Sequence, residues 1–97
     1  MKGYWLILGT PVTDAAAQAE YGALWAPIAA RYGARLVPAP EAVDARETRD
    51  ATRVLLVEFP SFEAAQACYD DPDYRQAREV AAKAASRSLV LLRGDIA

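Results

Sequence analysis

Histidine is absent from this 97-residue sequence, and cysteine occurs once, at Cys68. The first absence removes the commonest general base near neutral pH, the commonest metal ligand and the proximal haem ligand. Ser-His-Asp and Cys-His nucleophile systems and histidine-based zinc sites are thereby excluded. A lone cysteine forms no disulfide within a chain and no thiolate cluster for zinc or iron–sulfur, and it suits a reducing cytoplasm. Neither a metal nor another cofactor is expected. Glycine is sparse and scattered, at positions 3, 9, 22, 33 and 94, so no phosphate-cradling loop is written. An excess of positive charge is missing too: the net charge is −2, which draws no polyanion. The central strands also lack the aromatic-plus-basic pattern of an RNA-binding sheet. No apolar run approaches the roughly 20 residues of a membrane span, and the opening stretch Tyr4 to Leu8 is too short to read as an export signal.

What is present is an ordinary globular composition, 54% hydrophobic and 25% charged. The length reads as one domain over residues 1–97, enough for a core without staples. The many alanines, with nine arginines against two lysines, fit a GC-rich bacterial genome. Tyr4 to Leu8 reads as a strand closed by Gly9-Thr10-Pro11. Asp14 is placed to cap a helix whose face is Ala17, Tyr21, Leu24, Ile28 and Tyr32, with a bend expected at Pro27 and a stop at Gly33. Ala34 to Val37 is a short strand broken by Pro38-Ala39-Pro40. Glu41 to Thr52 reads as a ragged edge strand plus a mobile loop around Arg46 to Asp50. Arg53 to Phe59 is the clearest strand. Ser61 then caps a helix, Asp71-Pro72 breaks and restarts it, and the second piece runs to about Ser86. Leu89 to Leu92 is the last strand.

This order predicts an α+β, ferredoxin-like βαββαβ fold with a broken second helix and an antiparallel sheet. Two helices cover one face of such a sheet, and the other face ordinarily alternates towards water. Here Tyr4, Leu6 and Leu8 oppose Trp5 and Ile7, Val54 and Leu56 oppose Leu55, Val57 and Phe59, and Leu89 and Leu91 oppose Val90 and Leu92. Both faces are apolar, so a second copy packed through the sheet faces is expected.

The segments Lys2-Gly3-Tyr4-Trp5, Arg31-Tyr32-Gly33-Ala34-Arg35, Glu58-Phe59-Pro60-Ser61-Phe62-Glu63-Ala64-Ala65, Tyr69 with Pro72-Asp73-Tyr74, and Leu89 to Gly94 together resemble the DUF1330 family of small bacterial proteins. The likeness spans nearly the whole chain. It implies a dimeric α/β barrel in which two ferredoxin-like subunits join their sheets, and it implies no particular reaction. The chain departs from the family pattern at Cys68, where an aromatic is favoured, and at Ala81-Ala82-Lys83, where a basic residue is frequent.

Candidate site residues follow from the chemistry that remains. Glu58, on the strand face shared with Val54 and Leu56, is either a general base whose pKa is raised in a pocket or a strand-end carboxylate paired with an arginine. Tyr69 is its candidate catalytic companion. Trp25, Tyr32 and Tyr74 either pack the core or line an apolar pocket between helices and sheet, and Arg75, near Arg78, either holds an anion or faces solvent. Cys68 falls on the buried side of its helix and reads as a small core residue. Two functions are open: a protein that binds or transforms a small apolar or aromatic molecule without metal or haem, and a catalytically inert homodimeric structural or partner-binding module.

Overall fold

The computed structural model describes residues 1–38 and 40–96. Seven elements follow one another: β1 (Gly3–Gly9), α1 (Ala15–Tyr32), β2 (Arg35–Leu36), β3 (Arg53–Phe59), α2 (Phe62–Asp70), α3 (Pro72–Ala84) and β4 (Arg87–Arg93). The strands form one antiparallel sheet in the order β2-β3-β1-β4. This is the expected ferredoxin-like α+β arrangement, with the second helical region broken into α2 and α3.

The helix ends are set by local chemistry. Asp14 accepts a hydrogen bond from the Ala17 N–H at 3.0 Å, and Gly33 closes α1 in the left-handed conformation, φ 65°. Helix α1 continues through Pro27 to Tyr32 as one element. Ser61 caps α2 through the Ala64 N–H. Asp71 ends α2 and caps α3 by accepting from the Asp73 N–H at 2.8 Å, with Pro72 in the first turn.

Two expectations are corrected. No strand forms over residues 41–52, which make exposed bends and turns: Asp44 pairs with its near neighbour Arg46, and Arg49 takes a left-handed φ of 54°. Short-range bonds of this kind compete with a sheet ladder. Strand β2 shrinks to Arg35–Leu36, extended only by the Val37 N–H to Leu56 carbonyl bond of 2.8 Å. Ala39, within the Pro38-Ala39-Pro40 break, lies outside the described residues.

Strand parity sorts the side chains. Gly3, Trp5, Ile7 and Gly9 of β1 are in register with Phe59, Val57, Leu55 and Arg53 of β3 and with Arg93, Leu91, Leu89 and Arg87 of β4, and these face the helices. Buried Trp5 lies at the centre of the core. Its indole N–H donates to the Ala65 carbonyl at 2.9 Å, and the rings of Trp25, Phe59, Tyr69 and Tyr74 stand 4.9 to 5.8 Å from its own. The opposite face carries Leu6, Leu8, Val54, Leu56, Leu92 and Val90, the last 49% exposed.

Candidate functional site

Between α1 and the helix-facing side of the sheet lies a partly enclosed cavity of about 250 Å3. Its floor is Trp5, Ile7, Leu55 and Val57, its wall on α1 is Gln18, Tyr21, Gly22 and Trp25, and Leu36 stands at its rim. Ala81 and Ala85 admit it beside α3, and two guanidinium groups, Arg53 and Arg87, close it on the sheet. The apolar residues are there because strand parity and the α1 heptad-like face both point inward. The space exists because Gly22, Ala81 and Ala85 are small where neighbouring positions carry large rings.

Polar order is supplied by a partly buried cluster. Arg87 Nη2 donates to the Tyr74 hydroxyl at 3.0 Å, that hydroxyl shares a 3.0 Å hydrogen bond with Tyr21, and the guanidinium carbon stands 5.3 Å from the centre of the Tyr21 ring. Burial, helped by the neighbouring Tyr21, pushes the Tyr74 hydroxyl above its ordinary pKa. Burial works against the charge of Arg87, but the Tyr74 and Tyr21 oxygens outweigh it and the group stays cationic, its pKa above the ordinary value. Arg53 Nη1 donates to the Thr10 carbonyl at 3.1 Å.

The residues singled out from sequence are distributed as follows. Trp25 lines the cavity. Tyr74 is fully buried behind it and supports Tyr21 and Arg87. Tyr32 points elsewhere: its hydroxyl donates to Asp71 at 2.6 Å, next to the Arg31–Asp71 pair at 2.7 Å, and fastens the end of α1 to the α2–α3 junction. Arg75 is exposed and outside the cavity. Tyr69 lines a separate, open cleft of about 370 Å3 with Arg78, which donates to its hydroxyl at 2.6 Å.

The base reading of Glu58 does not fit its placement. It sits in register with Tyr4 and Arg35, on the sheet face away from the cavity, and pairs with Arg35 at 2.8 Å and Lys2 at 3.3 Å. Partial burial opposes ionisation there, but the two cations outweigh it and hold the carboxyl below its ordinary value. A poised base needs the opposite shift.

Sequence reading passed over Trp5, Tyr21, Arg53 and Arg87 as site residues. Parity was the available signal for both arginines, since Arg53 shares the face of Leu55 and Val57, and Arg87 that of Leu89 and Leu91. Among the described residues no three His, Cys, Asp or Glu side chains come together as a metal-binding set. No described helix is long and apolar enough to cross a membrane.

Sheet order, helix placement and the helix-facing cavity define an α+β protein of ferredoxin-like fold. Within that class the chain belongs to the DUF1330 family, a domain of unknown function, which matches residues 2–95. A protein of unknown function from Rhodopseudomonas palustris is similar in structure, with a TM-score of 0.72 and 23% identity over 97% of this chain and 82% of that one. A dimeric ferredoxin-like protein of unknown function from Jannaschia sp. CCS1 gives a TM-score of 0.69 at 15% identity, covering 97% and 100% of the two chains. SnoaB, a cofactor-independent oxygenase from Streptomyces nogalater, gives 0.60 at 14% identity over 99% and 95%. At these identities the likenesses speak for the fold. No curated protein matches the chain.

Proposed function

We propose that this protein binds a small apolar or aromatic molecule in the cavity between α1 and the sheet, acting as a homodimer joined through the opposite sheet face. The observation that carries the first part is the cavity itself: ring walls from Trp5, Tyr21 and Trp25, with a few polar groups at one end, are what small-molecule sites are made of. Trp25 contributes wall and Tyr74 holds the polar end in place.

The dimer rests on the apolar face of Leu6, Leu8, Val54, Leu56, Val90 and Leu92, which no element of this chain covers among the described residues. The description of the Jannaschia relative as dimeric agrees with it. A cytoplasmic setting suits the buried thiol of Cys68.

The titratable side chains on the cavity wall are Tyr21, Arg53 and Arg87, with no carboxylate among the described lining residues. Binding is therefore the better supported role, and the oxygenase activity of SnoaB shares only a fold with it. An inert assembly module calls for a helix–sheet gap filled by side chains, and the cavity counts against it.

The test is native mass spectrometry of freshly purified protein, followed by calorimetric titration with two-ring aromatics, one neutral (2-naphthylmethanol) and one anionic (2-naphthoate). The expected result is a dimer that carries extra mass or takes up one aromatic molecule per subunit, with Gly22→Trp filling the cavity and abolishing uptake while the dimer persists. A dimer that binds neither compound saturably and carries no adduct refutes the pocket reading. A monomer refutes the interface.

A further inference from the structure

Arg53 and Arg87 flank one glycine. Gly9 of β1 is the register partner of Arg53 on one side and of Arg87 on the other, so the two arginines begin two strand spacings apart, roughly 10 Å, on the helix-facing side. With no side chain at Gly9 the row has space above its centre, and Arg53 already leans into it: a Cβ built on Gly9 would stand 3.2 Å from Arg53 Nη1.

Neither guanidinium has a carboxylate within ion-pair distance among the described residues, whereas Arg31 has two and Arg35, Arg46 and Arg93 have one each. Arg49, Arg75 and Arg78 also lack one, but those three are exposed, and water serves an exposed cation. Arg53 and Arg87 are partly buried on the wall of an apolar cavity, where water serves poorly and an opposite charge is worth more. Asp50 lies along the surface cleft that adjoins Arg87, but beyond ion-pair distance. Arg53 is anchored to the Thr10 carbonyl and Arg87 to the Tyr74 hydroxyl beside the Tyr21 ring, and each planar fork has further N–H donors to offer a ligand.

From this geometry, and resting on the pocket reading above, we infer that the ligand is a small aromatic monocarboxylate, its carboxylate held at the Arg53–Gly9–Arg87 row and its ring between Trp5, Tyr21 and Trp25. The volume agrees. A dry cavity of roughly 150 Å3 takes a single benzene ring, and about 250 Å3 leaves room for a second ring or a carboxylate-bearing arm.

The test compares 2-naphthoate with its neutral isostere 2-naphthylmethanol by calorimetry on the intact protein at low salt. Wild type is expected to bind the anion at least about tenfold more tightly, as a charge-assisted contact in a dry site allows. Arg87→Met is expected to cut that preference to about threefold or less by removing the fork. Because Arg87→Met also removes the Arg87 hydrogen bond to buried Tyr74 and risks the fold, Arg53→Gln serves as the second variant. The Arg53 side chain makes one described hydrogen bond, to the Thr10 carbonyl, and Arg53→Gln is expected to lower the ratio of anion to alcohol affinity to about threefold or less, the anion losing more than the alcohol. Equal or tighter binding of the alcohol in wild type overturns the carboxylate inference and leaves the pocket reading standing. So does a preference that survives in a folded Arg53→Gln or Arg87→Met protein. Failure of both compounds to bind overturns the pocket reading and the inference with it.

Discussion

Gly3 and Gly22 should respond to alanine with opposite signs. At Gly3 the strand β1 passes directly beneath the start of α2, and a Cβ there would stand 2.5 Å from Phe62 Cα, 2.6 Å from the Ser61 carbonyl oxygen and 2.8 Å from the Phe62 nitrogen. All three are backbone atoms, so no side-chain rotation relieves the overlap. Either β1 or the helix start has to retreat by about 1 Å, and overpacking of that kind costs about 1–3 kcal/mol. The Ser61 cap lies at the point of contact and is worth about 1 kcal/mol if displaced. Against this, Gly→Ala lowers the entropy of the unfolded chain by about 0.4–1 kcal/mol. The net expectation for Gly3→Ala is a loss of about 2–3 kcal/mol, or roughly 10–20 °C in Tm for a domain of this size. Gly22, in the middle of α1, has nothing within 4 Å of its built Cβ. Gly22→Ala should gain about 0.5–1 kcal/mol from helix propensity. Urea denaturation at one fixed chain concentration measures both, the concentration being held because the proposed dimerisation would couple to stability. A Gly3→Ala protein within about 0.5 kcal/mol of wild type, with an unchanged m-value, would refute the close β1–α2 approach. The placement of Trp5 under Ala65 would fall with it.

Three further outcomes are expected. Cys68 is fully buried and burial, with the nearby Asp71 adding to it, pushes its thiol up to about 12, so labelling by a thiol-specific disulfide reagent near neutral pH should be at least about a hundredfold slower in native protein than in urea; comparable rates would refute the burial. Asp71 is held below its ordinary value of 3.8 first by the Tyr32 hydroxyl, then by the Asp73 N–H and Arg31. A depressed carboxyl adds stability that is complete above the ordinary value and is lost as pH falls through the folded one. Tyr32→Phe should therefore lower the urea midpoint at about pH 7 but approach wild type at about pH 2, and an equal deficit at both would show that the hydroxyl does not act through this carboxylate. Val90→Glu changes a half-exposed residue of the uncovered sheet face; the proposed dimer should give way to a folded monomer by native mass spectrometry, and an intact dimer would move the interface elsewhere.

How much of this was legible in the sequence depends on the range of the interaction. The caps Asp14, Ser61 and Asp71 act within three residues of themselves, and the alternation of β3 is read along one segment, so both were visible. The segment over residues 41–52 was misread because a polar run resembles an edge strand until its bonds are seen: Asp44 pairs with Arg46, the Ala51 N–H donates to the Thr48 carbonyl, and the segment meets the sheet at its end, where the Thr52 N–H donates to the Gly9 carbonyl. Tyr32 looked like a pocket residue because its helix position faces inward; its partner Asp71 lies 39 residues away and takes the hydroxyl to the α2–α3 junction. Glu58 looked like a candidate base because a carboxylate among aliphatic neighbours calls for a partner, but the partners are Lys2 and Arg35, which only the sheet register brings to it. Arg53 and Arg87 were hidden for the converse reason. Each stands at the first position of a strand, where a charged residue ordinarily meets solvent, and only the shared partner Gly9 places both over the cavity.

The same strands thus carry two surfaces on alternate residues. In β3, Arg53, Leu55 and Val57 belong to the cavity side while Val54, Leu56 and Glu58 belong to the uncovered side, and β1 and β4 divide in the same way. A shift of one residue in the pairing would exchange the two sets, turning both guanidiniums onto the apolar face and emptying the polar end of the cavity. The proposed assembly and ligand recognition would therefore depend on the same register, in which Gly9 stands between Arg53 and Arg87. Moving β3 by one position would set Thr52 or Val54 against Gly9, moving β4 would set Ser86 or Ser88 there, and either shift would leave an arginine facing the proposed dimer interface, where a desolvated and unpaired charge is strongly unfavourable. In the proposed dimer, burying the uncovered face against a second copy would thus penalise any shift by an odd number of residues, each of which takes Arg53 or Arg87 off the cavity side. On this reasoning, weakening the interface should also loosen the site: a monomeric Val90→Glu protein should bind 2-naphthoate more weakly than wild type although residue 90 lies on the opposite face of the sheet, and unchanged affinity in a verified monomer would show that the register holds without the dimer.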